Sequence, residues 1–380
     1  MKIALYYPWI YLKSGVEKTI LELVKRSSHQ WTIFTSHYDP GSTYPEIKNL
    51  NIVELPRISV KRSFVSVFLA GLKICMQKID LRDFDALVVF SEGLGDFIAF
   101  RNHDIPTICY CWTPLKVLHD PFARKAYLKT HKIKTPLFLL FGWLFSIIDR
   151  ISWRYYNDVI CCSNEIKQRI VKAGLCGPAK IKIISPGVDI EKIRPAWTYN
   201  PYFFHPTRIK WWKNVGLSID AFKEFQNICG PSDFKLIIAG QVDRGSRRYY
   251  ERVADRCREN THIQILPNPP EKDLAELYKN SYAVLNTTLN EDWGLIPLEA
   301  MAYGKPIIAV NQGGPKESII DKMTGFLAEP TPSGFAEAMK ILAEDKDLAL
   351  SIGRSARKHS LKYDWSDFVK RIDACLDLNN

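Results

Sequence analysis

Short runs of β-branched and aromatic residues alternate with helix-patterned stretches from one end of this chain to the other, and few folds accommodate that alternation. In the first half the strand-like runs are Lys2–Tyr6, Trp31–Thr35, Asn51–Leu55, Ala86–Phe90, Thr107–Cys111, Asp158–Cys162 and Ile181–Ser185. Between the first two, Val16, Ile20, Leu23 and Val24 share one face of a helix predicted over Val16–Ser27. Ser163 is a good N-cap for a helix reaching Ala173, and Gly174 a good residue to follow it. Such an order builds βαβ units around a parallel sheet. After Ile184, the turn-rich stretch Ser185-Pro186-Gly187-Val188-Asp189 and then Arg194-Pro195 suits a hinge. The pattern then restarts. Strands are predicted at Tyr202–Phe204, Lys235–Ala239, His262–Leu266, Tyr282–Asn286 and Pro306–Val310, and late helices at Ser333–Ala343, Leu348–Leu361 and Ser366–Leu376. At 380 residues the chain is too long for one ordinary core, so it reads as two α/β domains in tandem. Residues 1–188 form the first and 189–363 the second, with a last helix over 364–380 packing back on the first.

A hydrophobic content of 46% with 24% charged residues belongs to a globular protein, not a disordered one. The charge is lopsided. Residues 1–190 hold 26 Lys and Arg against 16 Asp and Glu, and the rest hold 26 against 25, so the first half carries nearly all of the net +11. The bases cluster over 57–82 and 116–134. Arg57, Lys61 and Arg62 mix with large apolar groups up to Leu69, and Lys125, Lys129, Lys132 and Lys134 precede the apolar run Pro136–Ile148. Bases beside an apolar helical face are what attachment to anionic lipid requires, although a core helix with a charged outer face gives the same pattern. The run stops at Asp149, short of the roughly 20 residues of a spanning helix. The start, Met1 to Tyr6, is too short for a signal-peptide core and reads as a buried strand. The expected location is cytoplasmic, with peripheral contact on the inner face of a membrane. The nine cysteines form no C-x-x-C arrangement of zinc spacing, so no metal is expected; Cys109, Cys111, Cys161 and Cys162 fall in strand-like runs, as buried free thiols do. The charge would also allow a nucleic-acid-binding protein. No recognised binding motif is present and the aromatics are scattered, so nucleic acid is not the expected partner.

The chemistry-bearing residues fall on loops after predicted strands, where open parallel sheets collect ligands. In the stretch from Asn290 to Pro306, Glu291 and Glu299 stand eight residues apart around Asp292-Trp293-Gly294-Leu295-Ile296, with a helix beginning near Pro297. The free amides around Gly294 to Ile296 then point out of the helix start, where a phosphate is favoured. Two carboxylates beside that phosphate fit the hydroxyls of a sugar and a ribose, and fit equally well as acids drawn to a helix start by its dipole. After the strand at Tyr202, Arg208 and Lys213 are five apart and can neutralise a diphosphate, the first by a fork and the second as a point charge. Gly15 opens the first helix after the first strand, which suits backbone approach to a phosphate or a plain tight turn.

This stretch, together with Pro306-Ile307-Ile308-Ala309-Val310 and Gly313-Gly314-Pro315-Lys316-Glu317-Ser318-Ile319, resembles the E-x7-E region of retaining group-one glycosyltransferases of GT-B fold. The resemblance runs over nearly the whole chain and is strongest from Tyr202 to Leu327. It implies two Rossmann-like domains whose parallel sheets face an interdomain cleft. It also implies that Glu291 contacts donor-sugar hydroxyls, that Glu299 binds the nucleotide ribose, and that Arg208 and Lys213 stabilise the leaving diphosphate. Gly240 then resembles the strand-end glycine beside the nucleotide base. Lys213-Asn214 departs from the lysine-glycine of many relatives, and Ser14-Gly15 from their glycine pair. Where many relatives have a histidine facing the sugar, this chain has Trp112, with His119 the nearest substitute. The implied reaction moves a hexose from a nucleotide sugar to a hydroxyl of a glycan or lipid-linked acceptor. The run through Met301 and Gly313 to Ser318 is similar to mannosyltransferases of lipid-linked oligosaccharide assembly, which favours GDP-mannose, with UDP-sugars next. A nucleotide-sugar epimerase or a phosphorylase shares the fold and is the alternative.

Overall fold

In the computed structural model, which describes residues 1–61, 63–130 and 135–378, the β-branched and aromatic runs become the strands of two wholly parallel sheets. Arg62, Lys132 and Lys134 lie outside the described residues. One compact unit consists of Met1–Pro186 with Trp365–Asn380, the other of Gly187–Asp364.

In the first unit all seven predicted runs are strands, with ends shifted by a residue or two: β1 (Lys2–Tyr6), β2 (Gln30–Thr35), β3 (Ile52–Glu54), β4 (Ala86–Ser91), β5 (Thr107–Cys111), β6 (Asp158–Cys161) and β7 (Ile181–Ile183). They are ordered β3-β2-β1-β4-β5-β6-β7. Every residue of β4 and β5 is buried, as strands covered on both faces must be. The helix Trp365–Asp377 completes this unit beside the helix Gly15–Arg26. Asp373 accepts from Ser27 Oγ at 2.7 Å and from Ser28 N at 2.9 Å, and Phe368 meets the Tyr110 ring edge-on.

The apolar run does not end at Asp149. Its helix covers Thr135–Ser152, and with the following turn the stretch to Tyr155 is long and apolar enough to cross a membrane by length and composition, so the length argument above is overturned. Asp149 lies inside this helix and is fully buried, and burial together with the neighbouring Asp96 carboxylate pushes its acid well above the ordinary range.

The second unit contains β8 (Tyr202–Pro206), β9 (Lys235–Gly240), β10 (Ile263–Pro267), β11 (Ala283–Asn286), β12 (Ile307–Val310) and β13 (Gly325–Ala328), ordered β10-β9-β8-β11-β12-β13. Strand β13 was not anticipated. It is four residues long, opens on glycine and holds no β-branched residue. Phe203 centres the core, with ring centroids 5.3 Å from Phe225 and 5.1 Å from Phe234. Each sheet follows the doubly wound order, in which strand order reverses between its first and fourth strands, β1/β4 and β8/β11. Ligands bind beyond the carboxyl ends of the strands at such a reversal.

Candidate active site

Strands β8 and β11 are parallel neighbours, with Phe203 opposite Ala283 and Phe204 opposite Val284. Their carboxyl ends therefore release two loops side by side, one carrying Arg208 and Lys213, the other Glu291. The structure brings Lys213 and Glu291 together: Nζ lies 2.7 Å from Oε2 and 3.1 Å from Oε1. The two side chains are 12% and 17% exposed, so water screens the pair only weakly.

Several groups fix the lysine. Asn214 follows it with φ 52°, in the left-handed region that asparagine tolerates better than other residues with a Cβ, so the departure from lysine-glycine keeps the turn. The Thr287 hydroxyl, at the end of β11, points at both Lys213 O and Asn214 O, each 3.0 Å away, and ties the two loops together. Beneath it, His205 is buried with Nδ1 2.9 Å from Ser218 Oγ. Burial, with the Lys213 charge nearby, lowers the imidazole to about 3. It therefore stays neutral in the folded protein while the unfolded chain takes up a proton below its ordinary pKa of 6.5. Stability is fully present above pH 6.5 and is lost as pH falls towards 3, at about 1.4 kcal/mol per unit of separation. Urea midpoints measured across that window should fall more steeply for the wild type than for His205→Gln.

The glutamate is placed by its own loop. Gly314 N donates to Glu291 O at 2.8 Å. A Cβ at Gly313 would lie 2.3 Å from Glu291 O, and one at Gly314 2.3 Å from Trp293 O, so only a glycine pair lets the 313–314 backbone lie flat on 290–293. The helix Leu295–Ala302 then starts two residues before Pro297, and no side chain caps it at Gly294. Its first amides lie at the positive end of the helix dipole, an arrangement that favours an anion. Asp292, Leu295 and Ile296 are half-buried at this helix start. Trp293 is buried, its ring against Tyr363, so it offers backbone rather than side chain. Glu299 is half-buried further along and accepts from Tyr278 Oη at 2.6 Å. Arg208 is half-buried, and its guanidinium has no hydrogen-bond or ion-pair partner among the described residues.

Gly240 ends β9. With φ 154°, it touches its own chain: a Cβ there would sit 1.8 Å from Thr207 O. The segment after β8 is bonded along this edge, Thr207 N to Ala239 O and Ile209 N to Gln241 O, both 2.9 Å. Gly240 thus sets the course of the backbone that bears Arg208.

The other predicted positions belong to the first unit. Gly15 is the first residue of its helix; Ser14 caps that start by accepting from Val16 N and donates to Glu17, which also accepts from Leu12 N. Trp112 is buried beside Tyr110, and its indole N–H has no partner among the described residues. His119 closes the short helix Lys116–His119, and burial together with Arg150, Arg124 and Arg169 lowers it to about 4. Among the described residues no cluster of His, Cys, Asp and Glu could hold a metal ion. Sequence reading missed Thr287, His205 and Tyr278. The visible signal for the first two was a polar side chain at the carboxyl end of an otherwise apolar strand.

Two doubly wound parallel sheets, one of which carries a basic loop and an E-x7-E helix start at its strand reversal, make up the GT-B architecture. Residues 189–359 match the family model for Glycosyl transferases group 1, and residues 13–192 that for Glycosyltransferase Family 4. Human alpha-1,3/1,6-mannosyltransferase ALG2 is 32% identical over 86% of this chain and 82% of its own length. The alpha-1,3/1,6-mannosyltransferase ALG2 of Dictyostelium discoideum is 27% identical over 98% and 97%. Anabaena HepE, solved in complex with UDP, is similar in fold with a TM-score of 0.73, at 18% identity over 99% of this chain and 100% of that one. The chain belongs to the group 1 glycosyltransferases.

Proposed function

We propose that the unit Gly187–Asp364 binds a nucleoside diphosphate sugar and that the enzyme transfers its hexose, with retention of anomeric configuration, to a hydroxyl of a glycan or lipid-linked acceptor. The observation that carries this reading is the Lys213–Glu291 pair beside the uncapped helix start, at the β8/β11 reversal. An arriving donor exchanges partners within the pair: the lysine takes a phosphate oxygen and the glutamate accepts from sugar hydroxyls. Arg208 supplies the second cation, and Glu299 accepts from the ribose. As the bond from the anomeric carbon to the phosphate oxygen breaks, negative charge grows on the diphosphate, and Arg208, Lys213 and the amides of 294–296 stabilise it. The acceptor hydroxyl forms the new bond from the same face and passes its proton to the departing phosphate oxygen. No protein nucleophile and no metal enters this scheme.

Mannose is the favoured sugar, because the human relative is named a mannosyltransferase, and GDP is its favoured carrier from the likeness of Met301 and Gly313 to Ser318 noted above; a UDP-sugar is next, since HepE was solved with UDP. A thermal-shift screen over GDP, UDP, ADP and their sugars tests the choice. The preferred ligand at a hundredfold its Kd should stabilise the fold by about 2.7 kcal/mol. Proton NMR of the product then reads the anomeric configuration. No shift with any nucleotide would remove the reading. Glu299→Gln keeps an acceptor for the Tyr278 hydroxyl, and it should weaken nucleotide binding roughly tenfold while the thermal midpoint holds. Unchanged affinity would release Glu299 from the ribose.

A further inference from the structure

We propose that the apolar face shared by the helices Phe64–Met76 and Thr135–Ser152 docks the first unit on the surface of an anionic phospholipid bilayer. On the first helix Val65, Phe68, Leu69, Leu72 and Met76 form one exposed stripe, and Val65 is 68% and Met76 64% open to solvent. The opposite face holds Ala70 and Ile74, with Gly71 against Leu94 and Phe97. On the second helix Leu140 is 61% and Trp143 64% exposed, with Leu144, Ile147 and Ile151 also open. Phe68 and Phe141 meet with centroids 6.0 Å apart, which joins the two stripes.

Contiguous apolar surface of this kind mismatches water. Its charge surroundings identify the partner. The helix Pro121–Thr130 packs on the second helix through Tyr127 and Phe138, 4.6 Å apart. Between bases and apolar groups it opens a hollow of about 680 Å³, lined by Leu118, His119, Arg124, Lys125, Leu128 and Lys129. Phosphate head groups match these three cations, and acyl chains match the stripe. The first half of the chain also carries nearly all of the surplus positive charge. The attachment lies in the plane of the interface and does not cross it. The inward face of Thr135–Ser152 buries Phe138, Asp149 and Ser152, and Phe145 packs on Phe97, contacts that a spanning helix would abandon.

The test is sedimentation of the full chain with vesicles of phosphatidylcholine alone or mixed with phosphatidylglycerol. The protein should pellet with the mixed vesicles, and salt should release it. Lys125→Glu with Lys129→Glu should lower partitioning roughly fivefold or more for each charge. Leu140→Ser with Trp143→Ser should lower it roughly tenfold or more. All four positions are exposed, so both variants should keep the wild-type thermal midpoint. Nucleotide binding is read on the same samples without vesicles, so this proposal and the sugar-donor reading fail separately. Three results would overturn docking: partitioning indifferent to lipid charge and to both variants; a chain twice its expected mass in solution that Leu140→Ser with Trp143→Ser returns to a monomer, which assigns the face to a second copy; or a protein that resists both high salt and alkaline extraction, which assigns it to a span.

Discussion

Glu291→Gln lowers the rate of sugar transfer about a hundredfold or more, while affinity for the nucleoside diphosphate alone changes within about threefold. The substitution keeps the size and two polar atoms of the side chain but removes its charge. Lys213, 2.7 Å away and largely shielded from water, then loses its anionic partner. Removing one member of a fully buried pair costs about 3–5 kcal/mol; this pair keeps a small exposure, so the expected loss of stability is smaller, about 1–2 kcal/mol. Turnover under saturating donor and a urea denaturation curve separate the two effects. A folded Glu291→Gln variant with wild-type turnover would take the glutamate out of the reaction.

The second large effect is on folding. Gly240→Ala should destabilise the protein by more than about 3 kcal/mol, because the new methyl group would sit 1.8 Å from Thr207 O and the backbone keeps a positive φ there. Relief requires the segment after β8 to move away from the end of β9, and that segment carries Arg208. Residual folded protein should therefore bind nucleotide more weakly. Denaturation midpoints and nucleotide titration read both consequences; a variant as stable as the wild type would mean that this edge of the sheet yields more readily than its hydrogen bonds imply.

Strand periodicity made the fold class legible, since buried parallel strands leave unbroken apolar runs between turn residues. It failed at β13, where Gly325-Phe326-Leu327-Ala328 takes its conformation from pairing with β12 and not from its own preference. Residue types marked the candidate site, because a glycine before a helix and carboxylates eight apart are readable in one dimension. Partnership is not. Lys213 and Glu291 are 78 positions apart, and only the adjacency of β8 and β11 makes them a pair. Asn214 read as a departure until its left-handed backbone gave it the work of a glycine. Asp149 reads as the end of an apolar run, yet it lies fully buried inside the helix Thr135–Ser152. Gly240 marks a strand end in the sequence, but the Thr207 carbonyl pressed against it is 33 positions away and becomes its neighbour only in the fold.

One compact unit is assembled from two separate stretches, residues 1–186 and the segment from Trp365. Its helix Trp365–Asp377 brings Phe368, Val369 and Ile372 into that core, and a ribosome delivers them only after every residue of Gly187–Asp364 has been made. The unit begun first therefore cannot complete its core until the whole of the second has been synthesised.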